Sequence, residues 1–176
     1  MISLSRKPVL RTLRILSIAT TLLAANMAPA NEAGFISITL VDEQYNLPLS
    51  AGHSDWTGTG GFAKVTILTR PSDLQTWHSF QSLRLAFDLF RNSAQTPEMS
   101  LLRRTGDAGF ERWYGRNDSG GLIVVVTDRN LDGAFLQVGS TFSGTLGQSL
   151  DFGQTIDLSA PMPVSGTFEA KLLPIR

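Results

Sequence analysis

The chain of 176 residues contains no cysteine and only two histidines, His53 and His78. Without cysteine, neither disulfide bonds nor thiolate metal sites hold the fold together, and a lipid attached to an N-terminal cysteine is excluded. Two histidines are too few for a transition-metal centre of three or four nitrogen or sulfur ligands. Stability must come from packing, and we predict no cofactor, with oxygen-ligated calcium as the one alternative left open.

Clusters of basic residues are also scarce. Four of the 15 basic residues lie within the first 30 positions, where there is no acidic residue, so residues 31–176 carry 11 basic and 15 acidic residues, a net charge of −4. Arg103, Arg104, Arg112 and Arg116 form the one basic concentration, which could clamp a carboxylate or phosphate but is interleaved with acidic residues, as on a mixed-charge solvated surface. Nucleic acid and anionic membranes are therefore not expected partners.

No apolar run is long enough for a permanent membrane anchor. The run from Leu16 to Ala25 reaches about half of the roughly 20 residues that such an anchor needs. It follows the basic residues between Arg6 and Arg14 and precedes the triplet Ala28-Pro29-Ala30, which is the pattern of a secretory signal peptide. We predict cleavage after Ala30, no integral membrane anchor after cleavage, and a periplasmic or secreted protein.

Apolar and polar residues alternate with a period of two in many parts of the chain, which is typical of half-buried β-strands. It is clear at Ile36–Leu40, Leu83–Leu89 and Val164–Leu172, and further candidates are Phe62–Thr69, Phe110–Tyr114 and Ala134–Thr145. Within the last of these, Gly139 and Gly144 are candidate bulges or bends. Turn residues separate the strands at 58–61, 70–73, 117–121 and 160–163.

Residues 31–176 are thus predicted to form a single all-β domain, an antiparallel β-sandwich or flattened barrel of about seven to eight strands. The apolar run Leu122–Val126 predicts a central strand covered on both faces. Residues 42–61 are expected to form a long loop, and Glu98–Arg104 could form a short helical turn.

The segment Asp128-Arg129-Asn130-Leu131-Asp132-Gly133 matches the opening of a calcium-binding loop. Asp128, Asn130 and Asp132 would be the oxygen ligands. Position 139, where the full motif requires a bidentate glutamate, is glycine. The alternative is that the segment is a hairpin connection between two strands, with Asp-Gly as its turn.

Aromatic residues near predicted loops are candidate ligand-binding residues: Trp56, Trp77, Trp113 and Tyr114. Exposed rings could stack on sugars or on peptide side chains. The alternative is that the tryptophans are buried and close the ends of the core.

His53-Ser54-Asp55, with His78 elsewhere, holds residue types used in hydrolysis. Neighbouring residues on an extended chain point to opposite sides, and there is no G-x-S-x-G motif. We therefore predict that the protein is not an enzyme, with a small hydrolase centred on His53 and Asp55 as an alternative.

The C-terminal pattern Val164-Ser165-Gly166-Thr167-Phe168-Glu169-Ala170-Lys171, following Phe142-Ser143-Gly144-Thr145, resembles the terminal strands of small exported Gram-negative bacterial β-proteins of unknown function. The resemblance covers about the last third of the chain and implies export and a β-fold.

The leading hypothesis is an exported, non-catalytic protein that acts by ligand binding or structural association in the cell envelope, with an envelope protein or glycan as partner. A calcium-stabilised carbohydrate- or peptide-recognition module and a small secreted hydrolase are the alternatives.

Overall fold

The computed structural model describes residues 33–59, 61–71, 81–106 and 109–175. The predicted signal peptide, Trp77 and His78 lie outside the described residues. Within the described ranges the chain is all-β and contains no α-helix, which confirms the predicted class. No helix in these ranges is long and apolar enough to span a membrane.

The described residues form ten strands. They are β1 (Gly34–Leu40), β2 (Glu43–Pro48), β3 (Asp55–Gly58), β4 (Phe62–Thr69), β5 (Ser82–Phe90), β6 (Ser93–Thr105), β7 (Gly109–Arg116), β8 (Ile123–Asp132), β9 (Phe135–Gln148) and β10 (Asp157–Pro174).

The strands form one sheet in the order β2-β1-β10-β3-β4-β5-β6-β7-β9-β8. All pairings are antiparallel except the short one between β10 and β3. An additional pairing joins β10 to β9 along most of β9. The pairings therefore close on themselves through β10, β3, β4, β5, β6, β7 and β9.

Alternate residues of these strands form a single buried apolar cluster. Phe87 of β5 and Phe168 of β10 belong to it, with ring centroids 6.1 Å apart. Because β5 and β10 are not neighbours in the sheet, this contact joins two distant parts of it. The period-two pattern thus predicted correctly the buried apolar side chains of β1, of β5 and of the Val164–Leu172 part of β10.

Of the predicted central strand Leu122–Val126, residues 123–126 instead begin β8, the last strand in the sheet order. Val124 is buried, but Ile123 and Val125 are 52% and 55% exposed. The prediction of cover on both faces was wrong because a run of β-branched residues also suits an edge strand whose outer face meets solvent.

Three other local predictions were wrong. Residues 42–61 contain β2 and β3 rather than one long loop, which brings the count to ten strands. Glu98–Arg104 lies within β6, and residues 160–163 lie within β10, at a register irregularity between Asp157 and Met162. In each case pairing with a neighbouring strand outweighs a weak local signal.

Candidate binding groove

A groove crosses the outer face of β1, β10, β9 and β8. Residues opposite one another on these strands form a row that runs from Phe35 through Glu169 and Gly139 to Asp128. Side chains of one row project from the same face because the pleat alternates with a period of two. The cavity above this row has a volume of about 590 Å³. That volume is typical of a small-molecule site.

Gly139 provides the floor of the groove. It has no side chain, and β8 has a register irregularity opposite it, between Val126 and Asp128. A Cβ atom at position 139 would lie 3.2 Å from the Thr127 hydroxyl oxygen. The candidate bulge at Gly139 is thus found on the partner strand. We call the part of the cavity above Gly139, between Glu169 and Asp128, the Gly139 hollow.

Gly34 allows β1 to lie close to the backbone of β10 at the β1 end of the groove. Its φ is +122°, in a region that side-chain-bearing residues rarely adopt. A Cβ atom there would lie 1.9 Å from the carbonyl oxygen of Glu169. Glycine at this position keeps β1 against β10 and holds the neighbouring Phe35 in the groove wall.

The lining of the groove combines apolar surface with many polar side chains. Hydroxyl, amide, carboxylate and ammonium groups come from Thr127, Thr141, Thr167, Gln137, Asp128, Glu169 and Lys171. Phe35 supplies an aromatic ring that is 48% exposed. The ammonium nitrogen of Lys171 lies 4.6 Å from the centroid of the Phe135 ring, a cation–π contact that fixes one wall. The groove therefore offers many hydrogen-bonding groups around one apolar surface.

Three of the predicted aromatic residues, Trp56, Trp113 and Tyr114, lie outside the groove. Trp56 and Trp113 are buried in the core, as in the alternative interpretation of these residues, and Tyr114 is half-buried. The Trp56 indole nitrogen donates a hydrogen bond to the Ala134 carbonyl at 3.2 Å, and the Trp113 indole donates to Glu111 at 3.3 Å. The two indole rings thus help to close the core and offer no open face to a ligand.

The predicted calcium residues lie on a strand. Asp128, Asn130 and Asp132 belong to β8, and only Gly133 and Ala134 form the turn to β9. A hairpin thus joins β8 to β9, as in the alternative interpretation, but β8 continues to Asp132, so the connection is shorter than the predicted segment over 128–133. Alternate residues on a strand are about 7 Å apart, so these side chains do not converge as they would in a loop. In the described ranges no three His, Cys, Asp or Glu residues group around a common point.

Of the predicted hydrolase residues, Ser54 is buried and its hydroxyl binds both backbone groups of Leu68 at 3.0 Å. His53 is exposed, and its Nδ1 lies 3.0 Å from the hydroxyl oxygen of Ser50, a residue that the sequence did not single out. Burial raises the pKa of Asp55, while the nearby charges of Arg84 and His53 oppose that rise. Ser50, not Ser54, is thus the hydroxyl within reach of His53.

The arginines of the basic concentration act separately. Arg104 donates to the Gly106 carbonyl at 3.2 Å, Arg116 lies 3.5 Å from Asp118, and Arg112 lies over the Phe152 ring at 4.6 Å. These partners correspond to the mixed-charge surface that the sequence favours. They do not converge on a common anion site.

The groove residues were missed by sequence reasoning. Asp128 was named only as a calcium candidate and Gly139 only as a candidate bulge, whereas Phe35, Gln137, Glu169 and Lys171 appear as ordinary members of alternating strands. The sequence shows only that the polar residues of each alternating strand face away from the core. These residues form a site only because β1, β10, β9 and β8 lie side by side.

Comparison with protein-family models, with curated proteins and with solved structures found no match to this chain.

Proposed function

We propose that this is an exported, non-catalytic recognition protein that binds an extended polar ligand in the groove across β1, β10, β9 and β8. The observation that carries the proposal is the cavity of about 590 Å³ over the Gly139 hollow, lined by polar side chains and Phe35. A concave surface of this volume, with apolar area and convergent polar groups, has the general features of a small-molecule site.

The fold that supports this groove is, in our proposal, a sandwich of two five-stranded halves. One half consists of β2, β1, β10, β9 and β8, and the other of β3 to β7, with the β10–β3 and β7–β9 pairings at the corners. The contact between Phe87 and Phe168 supports face-to-face packing of the halves. The inner face of the first half would then form the core, which leaves its outer face free for the ligand.

The groove can be tested with variants that fill it. Thr141→Trp places a large side chain in the cavity, and Ser165→Trp places the same side chain on the same outer face outside the cavity. With defined neutral oligosaccharides, acidic peptides and basic peptides as probes, we expect at least one probe to shift the backbone amide NMR signals of residues 137–141 and 167–171. Thr141→Trp should abolish the shifts and Ser165→Trp should preserve them. Binding that survives Thr141→Trp would refute the groove as the site.

Export is part of the proposal. It is supported by the basic start, the short apolar run and the Ala28-Pro29-Ala30 triplet. Expression of the full chain in a Gram-negative host should give periplasmic or secreted protein whose first residue is Asn31. Protein that stays in the cytoplasm and begins with Met1 would contradict export and leave the groove proposal standing.

A small hydrolase is a second candidate, favoured by the 3.0 Å contact between the Ser50 hydroxyl and His53 Nδ1. A hydroxyl beside a histidine is the minimum arrangement for nucleophilic attack. If the pair is catalytic, ester hydrolysis should disappear in both Ser50→Ala and His53→Ala and persist in Ser54→Ala. Equal background rates in all four proteins would remove this candidate.

A further inference from the structure

We infer that the ligand of the groove is a neutral oligosaccharide whose sugar rings lie over the Gly139 hollow and against Phe35. This inference rests on the proposed function and adds the chemical class of the ligand. It follows from four features of the groove. These are the space above Gly139, an aromatic ring, two carboxylates, and the hydroxyl and amide groups around them.

The row at the centre of the groove defines where a ring would lie. Glu169 and Asp128 belong to strands on either side of β9, so their Cα atoms are about 10 Å apart at ordinary strand spacing. Between them, Gly139 has no side chain, and the Thr127 hydroxyl oxygen and the Asp128 Cβ lie 3.2 and 3.6 Å from the position that a Cβ atom would take. A polyhydroxylated sugar ring placed there would have a carboxylate on each side, and each carboxylate would accept hydrogen bonds from the hydroxyl groups of the sugar.

The rows on either side of this central row add further polar contacts. Lys171 is opposite Gln137 in one row, and Thr167 is opposite Thr141 in the other. An ammonium group donates hydrogen bonds, whereas amide and hydroxyl groups both donate and accept them. This mixture matches sugar hydroxyls, each of which also both donates and accepts. A ligand with only acceptors or only donors would leave part of the set unpaired, which is costly once water is excluded.

Phe35 supplies the apolar contact. Its ring is 48% exposed at the β1 end of the central row. One face of a pyranose ring carries mainly C–H groups, and burying such a face on an aromatic ring is favourable. The same groove thus offers an apolar surface for the ring face and polar groups for the ring edge.

The charges in the groove weigh against an anionic ligand. Asp128 and Glu169 outweigh Lys171, and Lys171 is itself held over the Phe135 ring. A phosphate or uronate would meet two carboxylates at the centre of the site. Coulomb repulsion at such short range disfavours its binding.

The position of the groove weighs against an extended peptide. Peptides that bind to sheets commonly add a strand to a free edge and pair through their backbone. The groove instead crosses β10 and β9, each of which pairs with a strand on both sides. What it offers to a ligand is therefore its side chains.

The inference can be tested by calorimetric and NMR titration of the exported protein with cellohexaose, chitohexaose, maltohexaose and mannohexaose. An oligogalacturonate, a lysine-rich peptide and a neutral peptide serve as comparison probes. We expect one or more neutral oligosaccharides to bind and to shift the amide signals of residues 137–141 and 167–171. Their affinity should change less than twofold between low and high salt, because a neutral ligand is not screened.

Phe35→Ala should weaken that binding by about tenfold or more, as truncation of a central aromatic contact commonly does. Phe35→Trp should retain the binding, which separates loss of the ring from loss of folding. Phe62→Ala is the matched control because Phe62 lies on β4, is also 48% exposed and does not line the groove. Asp128→Asn and Glu169→Gln should each weaken binding severalfold, since a neutral amide is a poorer acceptor than a carboxylate.

The outcomes separate this inference from the proposed function. If only a peptide or the oligogalacturonate binds, and Thr141→Trp blocks it, the groove is a binding site and the oligosaccharide inference is wrong. If neutral oligosaccharides bind equally well to Phe35→Ala and to Thr141→Trp, both are wrong. Titrations in which no probe shifts the groove amides would likewise overturn both.

Discussion

At the scale of single residues, Ser140 breaks the pattern of its strand. Its side chain is 98% buried in β9, where Val138 and Phe142 on the same face are apolar, and its hydroxyl has no hydrogen-bond partner among the described residues. A buried polar group without a partner costs free energy because it has lost its hydrogen bonds to water. The sequence gives no sign of this cost, since serine is also common on the exposed face of a strand.

Ser140→Ala should therefore leave the free energy of unfolding unchanged or raise it by about 1 kcal/mol. Urea denaturation followed by tryptophan fluorescence measures the change, with Ser143→Ala on the exposed face of β9 as the control. A loss of more than about 1 kcal/mol in Ser140→Ala would show that the hydroxyl has a stabilising partner.

Asp151 is a residue whose charge stabilises a turn. Hydrogen bonds from the Thr155 backbone amide, at 2.8 Å, and from the Ser149 hydroxyl, at 2.9 Å, lower the pKa of its carboxyl group. A lowered pKa in the folded state means that the charged form stabilises the fold above the pKa of the unfolded chain. This contribution is lost as the pH falls through the lower pKa of the folded state.

Asp151→Ala should accordingly be less stable than the wild type at pH 7, and the difference should shrink as the pH falls below about 4, the usual range of an aspartate. Thermal unfolding between pH 7 and pH 2 measures this. Asp42→Ala, in the turn after β1, is the control. A difference that stays constant down to pH 2 would contradict an electrostatic origin.

At the scale of elements, β10 depends on a glycine that the sequence presents as one small residue in an alternating strand. A Cβ atom at Gly166 would lie 2.1 Å from the carbonyl oxygen of Ser37 and 2.6 Å from the Phe142 ring. Gly166 therefore allows β1 and the Phe142 side chain to approach β10 closely. The requirement for glycine at this position comes from the tertiary structure, because Ser37 and Phe142 belong to other strands.

Gly166→Ala should lower the free energy of unfolding by about 1–3 kcal/mol, the usual cost of overpacking. Gly52→Ala is the control, since a Cβ atom there would meet no atom within 4 Å. Chemical denaturation of both variants measures the change in the free energy of unfolding. Equal stability of the two variants would mean that β1 and β10 can separate without cost.

Elements with a strong pattern could be predicted from the sequence, and elements with a weak one could not. β1 and β5 alternate over most of their length and were found at nearly their observed bounds. β2 has Leu47 as its one fully buried residue, and β3 is four residues long with only Trp56 fully buried, so neither gave a period-two signal. These two strands exist because β1 and β4 provide pairing partners.

At the scale of the whole molecule, the contact between Phe87 and Phe168 links the two halves of the sheet. Both rings are almost fully buried, with 1% of their surface exposed. Two tilted aromatic rings in such contact stabilise each other beyond the burial of their area. In the proposed sandwich this contact lies between the two packed faces, since β5 and β10 do not pair with each other.

Phe87→Leu and Phe168→Leu should each destabilise the protein by about 1–3 kcal/mol. The double variant should lose less than the sum of the two single losses, by about 0.5–1.5 kcal/mol. A double-mutant cycle in urea measures this coupling, and a cycle of Phe87→Leu with Phe62→Leu on the exposed face of β4 should show none. Strict additivity for Phe87 and Phe168 would contradict face-to-face packing.

The sequence by itself determined the all-β class and which side of most strands is buried, because alternation is a local property of an extended chain. Its composition also excluded disulfide and thiolate chemistry. Only the tertiary structure decided that β8 is an edge strand, that Trp56 and Trp113 are core residues, and that Phe35, Glu169, Gly139 and Asp128 share one row. These four residues span more than 130 positions of the chain, and their proximity depends on strand order and register, which no local pattern encodes.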